Sequence, residues 1–158
     1  MASILRRVIL SATAALALAG AAGAQSVGEK VSLGGFALEG LAAQTLTPGR
    51  CGLFLWSKTE RPVFILYATE SPAQALVRIG GRDRKLSRKA TSGESLLGHY
   101  EKQTFTADKY SLDVDLTYVR DGKMVDGAMI ERGVMRSHDA KGAVTVVPVG
   151  GMIGCKPA

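Results

Sequence analysis

The run from Tyr110 to Val119 alternates almost without a break. Tyr110, Leu112, Val114, Leu116 and Tyr118 fall on one side of an extended chain, and Ser111, Asp113, Asp115 and Thr117 on the other, with Val119 the single exception. A helix would scatter these apolar residues round its circumference, whereas a strand gathers them on one face. The pattern therefore demands an antiparallel sheet with one buried and one wet face. Asp121-Gly122 follows, the pair that suits a type I′ hairpin turn. The partner strand runs from Met124 toward Ser137, with Gly127 and Gly133 as bulge markers. Asp139-Ala140-Lys141-Gly142 is the next turn, and Ala143 to Val149 the last long strand, where Pro148 signals an edge or a bulge. Gly150-Gly151 then bends the chain toward Cys155.

A second constraint lies in Cys51-Gly52-Leu53-Phe54-Leu55-Trp56, where one cysteine and the sole tryptophan share a continuous apolar run. Both faces of this strand are apolar, which predicts cover on both sides. Val63 to Ala68 has the same character, and the polar Ser57 to Pro62 between them makes residues 51–68 a hairpin. Gln74 to Ile79, Gly80-Gly81 and Arg82 to Lys89 read as another hairpin, because paired glycines accept positive φ. Phe36 to Thr47 has partly helical spacing at Leu38, Leu41, Ala42 and Leu46, ended by Pro48-Gly49, and predicts a helix of one or two turns. Ala90 to Gly98 reads as loop with a helical turn at Glu94 to Leu97, and His99 to Thr106 as a further strand. Glycine is 19 of 158 residues, about 12% against a usual ~7%, in keeping with many tight turns. The expected fold is all-β: a single-domain antiparallel meander of six to eight strands, as a small β-barrel or a β-sandwich, with little helix.

Arg6 and Arg7 precede an apolar run from Val8 to Ala19, and Ala22-Gly23-Ala24 supplies an A-x-A site. This order predicts a Sec-type signal peptide, residues 1–24, cleaved after Ala24. The run is too short for the roughly 20 residues of a spanning helix, so no membrane span is expected in the mature chain. Residues 25–158 then form one β domain, periplasmic or secreted. The formal net charge of +6 falls to +4 without Arg6 and Arg7. Both cysteines lie in the exported part, and an even count in an oxidising compartment predicts a Cys51–Cys155 disulfide. No C-x-x-C is present to suggest redox chemistry.

Motifs for catalysis are absent. His99 and His138 lack metal-ligand spacing; Glu101 shares a strand face with His99, and Asp139 merely follows His138. No G-x-S-x-G occurs, and no serine has a lysine three residues on. Asp113 and Asp115 could act as a carboxylate pair but read more simply as a solvated face opposite Lys or Arg. Gly80-Gly81 and Gly150-Gly151 lack the following helix of a phosphate loop. The chain is accordingly read as a non-enzyme with no catalytic residue, metal or cofactor assigned.

The candidate binding feature is the basic hairpin Arg78, Arg82, Arg84, Lys85, Arg88 and Lys89, opposed only by Asp83. It suits an anionic envelope component or an acidic protein surface, not nucleic acid after export; such charge also guards a strand edge against aggregation. The expected function is a non-catalytic binding or accessory module of the cell envelope. The alternative is a periplasmic hydrolase inhibitor: Leu55-Trp56-Ser57-Lys58 is similar to a tryptophan–lysine element of the periplasmic inhibitors of C-type lysozyme, which are small exported β-barrels with one disulfide. The likeness covers those four residues; Ser92-Gly93 does not reproduce that family's serine–glycine–tyrosine loop, and the chain order differs.

Overall fold

A computed structural model describes residues 28–31, 36–120, 122, 124 and 126–158. The expected signal peptide, the start of the mature chain and Asp121 of the expected turn lie outside the described residues. Within them the chain is all-β. Two short pieces, β1 (Lys30–Val31) and β2 (Leu38–Glu39), precede eight longer strands: β3 (Arg50–Ser57), β4 (Phe64–Glu70), β5 (Ala73–Ile79), β6 (Arg82–Leu96), β7 (His99–Ala107), β8 (Tyr110–Val119), β9 (Gly127–His138) and β10 (Val144–Lys156). Each pairs antiparallel with its chain neighbour from β3 to β10, and β10 returns to pair with β3. The meander is thus a closed barrel and not a sandwich. Closure removes the sheet edges that an open meander would expose.

Eight strands make a barrel whose interior side chains can fill. Leu53 and Leu55 of β3, Leu66 and Ala68 of β4, Ala75 and Val77 of β5, Leu86 of β6, Phe105 of β7, Leu112 and Val114 of β8, Met135 of β9 and Ile153 of β10 are all buried there. The alternation read in Tyr110–Val119 is the mechanism: Leu112, Val114 and Leu116 face in, while Asp113, Asp115 and Thr117 face out. No described helix is long and apolar enough to cross a membrane.

Three expectations are corrected. Residues 36–47 form no helix. Phe36 and Leu38 instead enter the core, with the Phe36 carbonyl accepting from Ser137 Oγ at 3.0 Å and its ring set edge-on to Tyr110 at 5.2 Å. The segment plugs the Tyr110 end of the barrel, and Leu41 N–H donates to the Phe64 carbonyl. Gly40 and the poor apolar periodicity deny a helix the interior face that a plug supplies. Residues 90–96 are neither loop nor helical turn but the far half of β6. And β10 does not stop at Val149; it continues through a bulge between Val149 and Gly151 to Lys156.

The outer face of β3 also differs from expectation, since no second layer among the described residues covers it. Phe54 and Trp56 lean on Phe64 and Tyr67 of β4, with ring centroids 4.9–6.4 Å apart. Leu46, from the segment leading into β3, approaches Gly52 beside this ladder. The turns at Gly80-Gly81 and Asp139–Gly142 match their sequence signals. Gly80 and Gly81 have φ of 60° and 74°, as a type I′ turn requires, and the Asp139 carboxylate accepts from the N–H groups of Lys141 and Ala143.

The closing seam is β3 against β10, with Cys51 opposite Cys155 on the same rung and joined by a disulfide. A bond between residues 104 apart in sequence stabilises by about 4–5 kcal/mol on chain-entropy grounds. Reduction should lower the urea-unfolding free energy by up to that amount and raise the slope, because the unfolded chain loses a constraint that keeps it compact. The seam is also tight at Gly151, where an added Cβ would lie 1.9 Å from the Phe54 carbonyl oxygen, whereas at Gly154 its nearest neighbour is 3.8 Å away. Gly151→Ala should therefore destabilise by about 3 kcal/mol or more, and Gly154→Ala by less than about 1 kcal/mol, in the same measurement.

Candidate functional site

The six cations of the basic hairpin do not form one surface. Period-2 alternation divides them, because Leu86 faces the core and Arg84 and Arg88 lie on its side of the strand. Arg84 stacks over the Tyr110 ring at 4.9 Å. Arg88 Nη1 donates to the Gly98 carbonyl at 2.8 Å and to Gln103 Oε1 at 3.0 Å. Arg78 faces outward but is committed to Asp83 at 2.7 Å and to Glu39 at 3.8 Å. Arg82, Lys85 and Lys89 remain as the exposed cations of the group.

The histidines have different surroundings. His138 Nε2 lies 2.9 Å from Asp113 Oδ2, across the β8–β9 pairing and not beside its sequence neighbour Asp139. Asp113 Oδ1 accepts from Thr104 Oγ1 at 2.7 Å and is the rung partner of Arg136, while Asp115 is that of Lys102. The two aspartates are thus a charge-matched outer face. Among the described residues no group of three or more His, Cys, Asp or Glu side chains is placed to hold a metal.

His99 is fully buried at the disulfide end of the barrel, and neither ring nitrogen has a hydrogen-bond partner in the protein. Burial first, and then the nearby Arg88 guanidinium, pull its pKa from 6.5 to about 4, with Glu70 opposing. Glu70 Oε2, Gln103 Nε2 and Tyr118 Oη are likewise buried without partners. Burial, then Glu101, raises the Tyr118 phenol well above its usual range. The sequence offered only the His99–Glu101 spacing as a hint of this cluster.

A further concavity lies elsewhere, on the outer wall where β3, β10 and β9 meet. It is an open groove of about 850 Å³ lined by Trp56, Lys58, Pro62, Met129, Arg132 and Met152, among others. Its floor is the Gly150-Gly151 bulge. A Cβ at Gly150 would meet the Lys58 side chain at 2.9 Å, so glycine leaves room for that chain to cross and donate to the Glu131 carbonyl. Met129 and Met152 are rung partners and exposed, and Val144 and Val146 extend the apolar surface along β10. Sequence reading found Trp56 and Lys58 but not Met129 or Met152, which only the barrel register brings beside them.

Arg88→Ala should cost about 2–3 kcal/mol, because it strands the Gly98 and Gln103 acceptors, whereas Arg82→Ala and Lys85→Ala should change stability by less than about 0.5 kcal/mol in urea titrations. His99 binds its proton more weakly folded than unfolded, so its contribution is fully present above pH 6.5 and is lost as pH falls toward 4. The loss across that window is on the order of 3 kcal/mol and should be absent in His99→Leu when unfolding is followed against pH. Compared with known protein families, curated proteins and solved structures, the chain matches none.

Proposed function

We propose that this chain is an exported, non-catalytic binding module of the cell envelope that takes a protein partner on the outer wall of its barrel. The observation that carries this reading is the apolar groove at the β3–β10–β9 junction. Exposed Met and Val side chains on one wall, beside the half-buried Trp56, are an expected feature of a protein contact surface. The barrel interior is occupied by its own side chains, which directs binding to the outside. Lys58 and Arg132 on the groove rim favour an apolar segment flanked by acidic residues. The disulfide supports work in an oxidising compartment, periplasmic or secreted.

The anionic partner inferred from the basic hairpin now rests on Arg82, Lys85 and Lys89. The inhibitor reading has one observation of its own: Trp56 and Lys58, which carry the likeness to the lysozyme inhibitors, both line the groove. An inhibitor would use it to hold a loop of the target hydrolase.

Capture from envelope extract by the immobilised mature chain separates these readings. Groove binding should survive 0.5 M salt, where the Debye length is only about 4 Å. It should fall at least tenfold in Trp56→Ala and Met152→Glu. Capture that vanishes with salt and with charge reversal at Arg82, Lys85 and Lys89, but tolerates Trp56→Ala, would replace the groove with the basic surface. Inhibition of a C-type lysozyme, lost in Lys58→Ala, would establish the inhibitor.

A further inference from the structure

The β6–β7 hairpin is longer than the barrel that carries it. The last rung joining β5 to β6 is Gln74–Ser87, and the last joining β7 to β8 is Lys102–Asp115. Residues 89–101 therefore pair only with the other arm of their own hairpin. Two bulges interrupt β6 in this stretch, one between Arg88 and Ala90 and one between Ser92 and Ser95, and bulges bend the strand that carries them. Gly93, at φ 81°, lies in the second.

The bends turn the hairpin back over the disulfide end. Leu96 and Leu97 at its tip pack on the core, and His99 is fully buried. Gly98 lies so close to Glu70 at the end of β4 that an added Cβ would sit 2.6 Å from the Glu70 Cβ. Among the described residues, polar ties hold the hairpin down at Arg88, which donates to the Gly98 carbonyl and stacks over the Tyr100 ring at 5.3 Å, and, as the second site, at the exposed Glu94–Arg120 pair at 3.3 Å. The second adds little, as exposed ion pairs do. Lifting the tip breaks no ladder hydrogen bond, so it requires far less than global unfolding.

The underside is polar. Glu70 from β4, His99 and Gln103 from β7 and Tyr118 from β8 each place an unpartnered buried atom there. Arg88 from β6 and Glu70 act on His99 from two sides, and Glu101 acts on Tyr118. Five buried polar atoms there have no partner in the protein, and hydration satisfies them once the hairpin lifts.

We propose that residues 89–101 form a hinged flap that closes this end of the barrel, and that acid releases it through its own His99, uncovering a polar recess built from Glu70, Gln103 and Tyr118. The imidazole is the only group of this set that changes charge toward cation as the medium acidifies. Once lifted, it hydrates and takes a proton at its ordinary value; closed, it stands against Arg88 and does not.

Hydrogen exchange of the mature chain at pH 7.5 and pH 4.5, corrected for intrinsic rates, tests this. With His99 moving from about 4 closed to 6.5 open, the opening equilibrium of residues 89–101 should rise about 70-fold between the two conditions. β3, β4, β9 and β10, which exchange only through global unfolding, should remain far more protected than 89–101 at both pH values. Unchanged protection in 89–101, or protection there equal to that of β3, β4, β9 and β10 at both pH values, would overturn the flap. In His99→Leu the response should disappear; acid release that persists there would overturn the role of His99. The wild-type measurement decides the flap even if that variant does not fold.

Discussion

The rest of the structure depends on the pairing of β3 with β10. Every other barrel contact joins chain neighbours across a short connection, whereas this one joins the two ends of the sheet, from Val149–Ser57 to Lys156–Arg50. Until it forms, β3 and β10 are both free edges. Its geometry requires a glycine at position 151 against the Phe54 carbonyl and a bulge at Gly150-Gly151. The same bulge lowers the wall beside Trp56. The groove proposed as the contact surface is thus a by-product of closing the barrel.

The two barrel ends are finished in opposite ways. At the Tyr110 end, an N-terminal segment supplies Phe36 and Leu38, and apolar side chains meet apolar side chains. Glu39 there is buried but satisfied, accepting from the Gly81 N–H at 2.9 Å and facing Arg78. At the disulfide end the cover is a hairpin over polar groups that lack partners. A plug joined to the core by apolar burial is costly to remove. A cover resting on a few tip contacts over an unsatisfied polar floor is not. Mobility in this molecule is therefore concentrated at one end by composition.

What could be read from the sequence followed from local rules. The alternation in Tyr110–Val119, the glycine pair at 80–81 and the apolar hairpin at 51–68 each state their own conformation, and the even cysteine count behind an expected signal peptide predicts the disulfide. Barrel closure was not legible, because an up-and-down meander closes or stays open according to twist and bulges, which are set by packing between distant strands. Residues 36–47 misled because a plug needs apolar residues without a regular period. Residues 90–96 misled because a hairpin arm beyond the barrel loses the inward apolar face that marks a strand. The basic hairpin was counted as charge per length, although the position of Leu86 already divided its residues between two faces. The groove was invisible because Trp56, Met129 and Met152 are neighbours only through the seam.

The seam also has a consequence in time. Chain growth delivers Cys51 first, and its partner Cys155 follows 104 residues later. All the local hairpins can form as they emerge, but the sulfur at position 51 must wait for the whole barrel to be made. Any disulfide it makes before then joins it to another molecule. Correct maturation of this protein therefore depends on oxidation that lags synthesis, or on a thiol-exchange partner that keeps Cys51 reversibly occupied until the tail arrives.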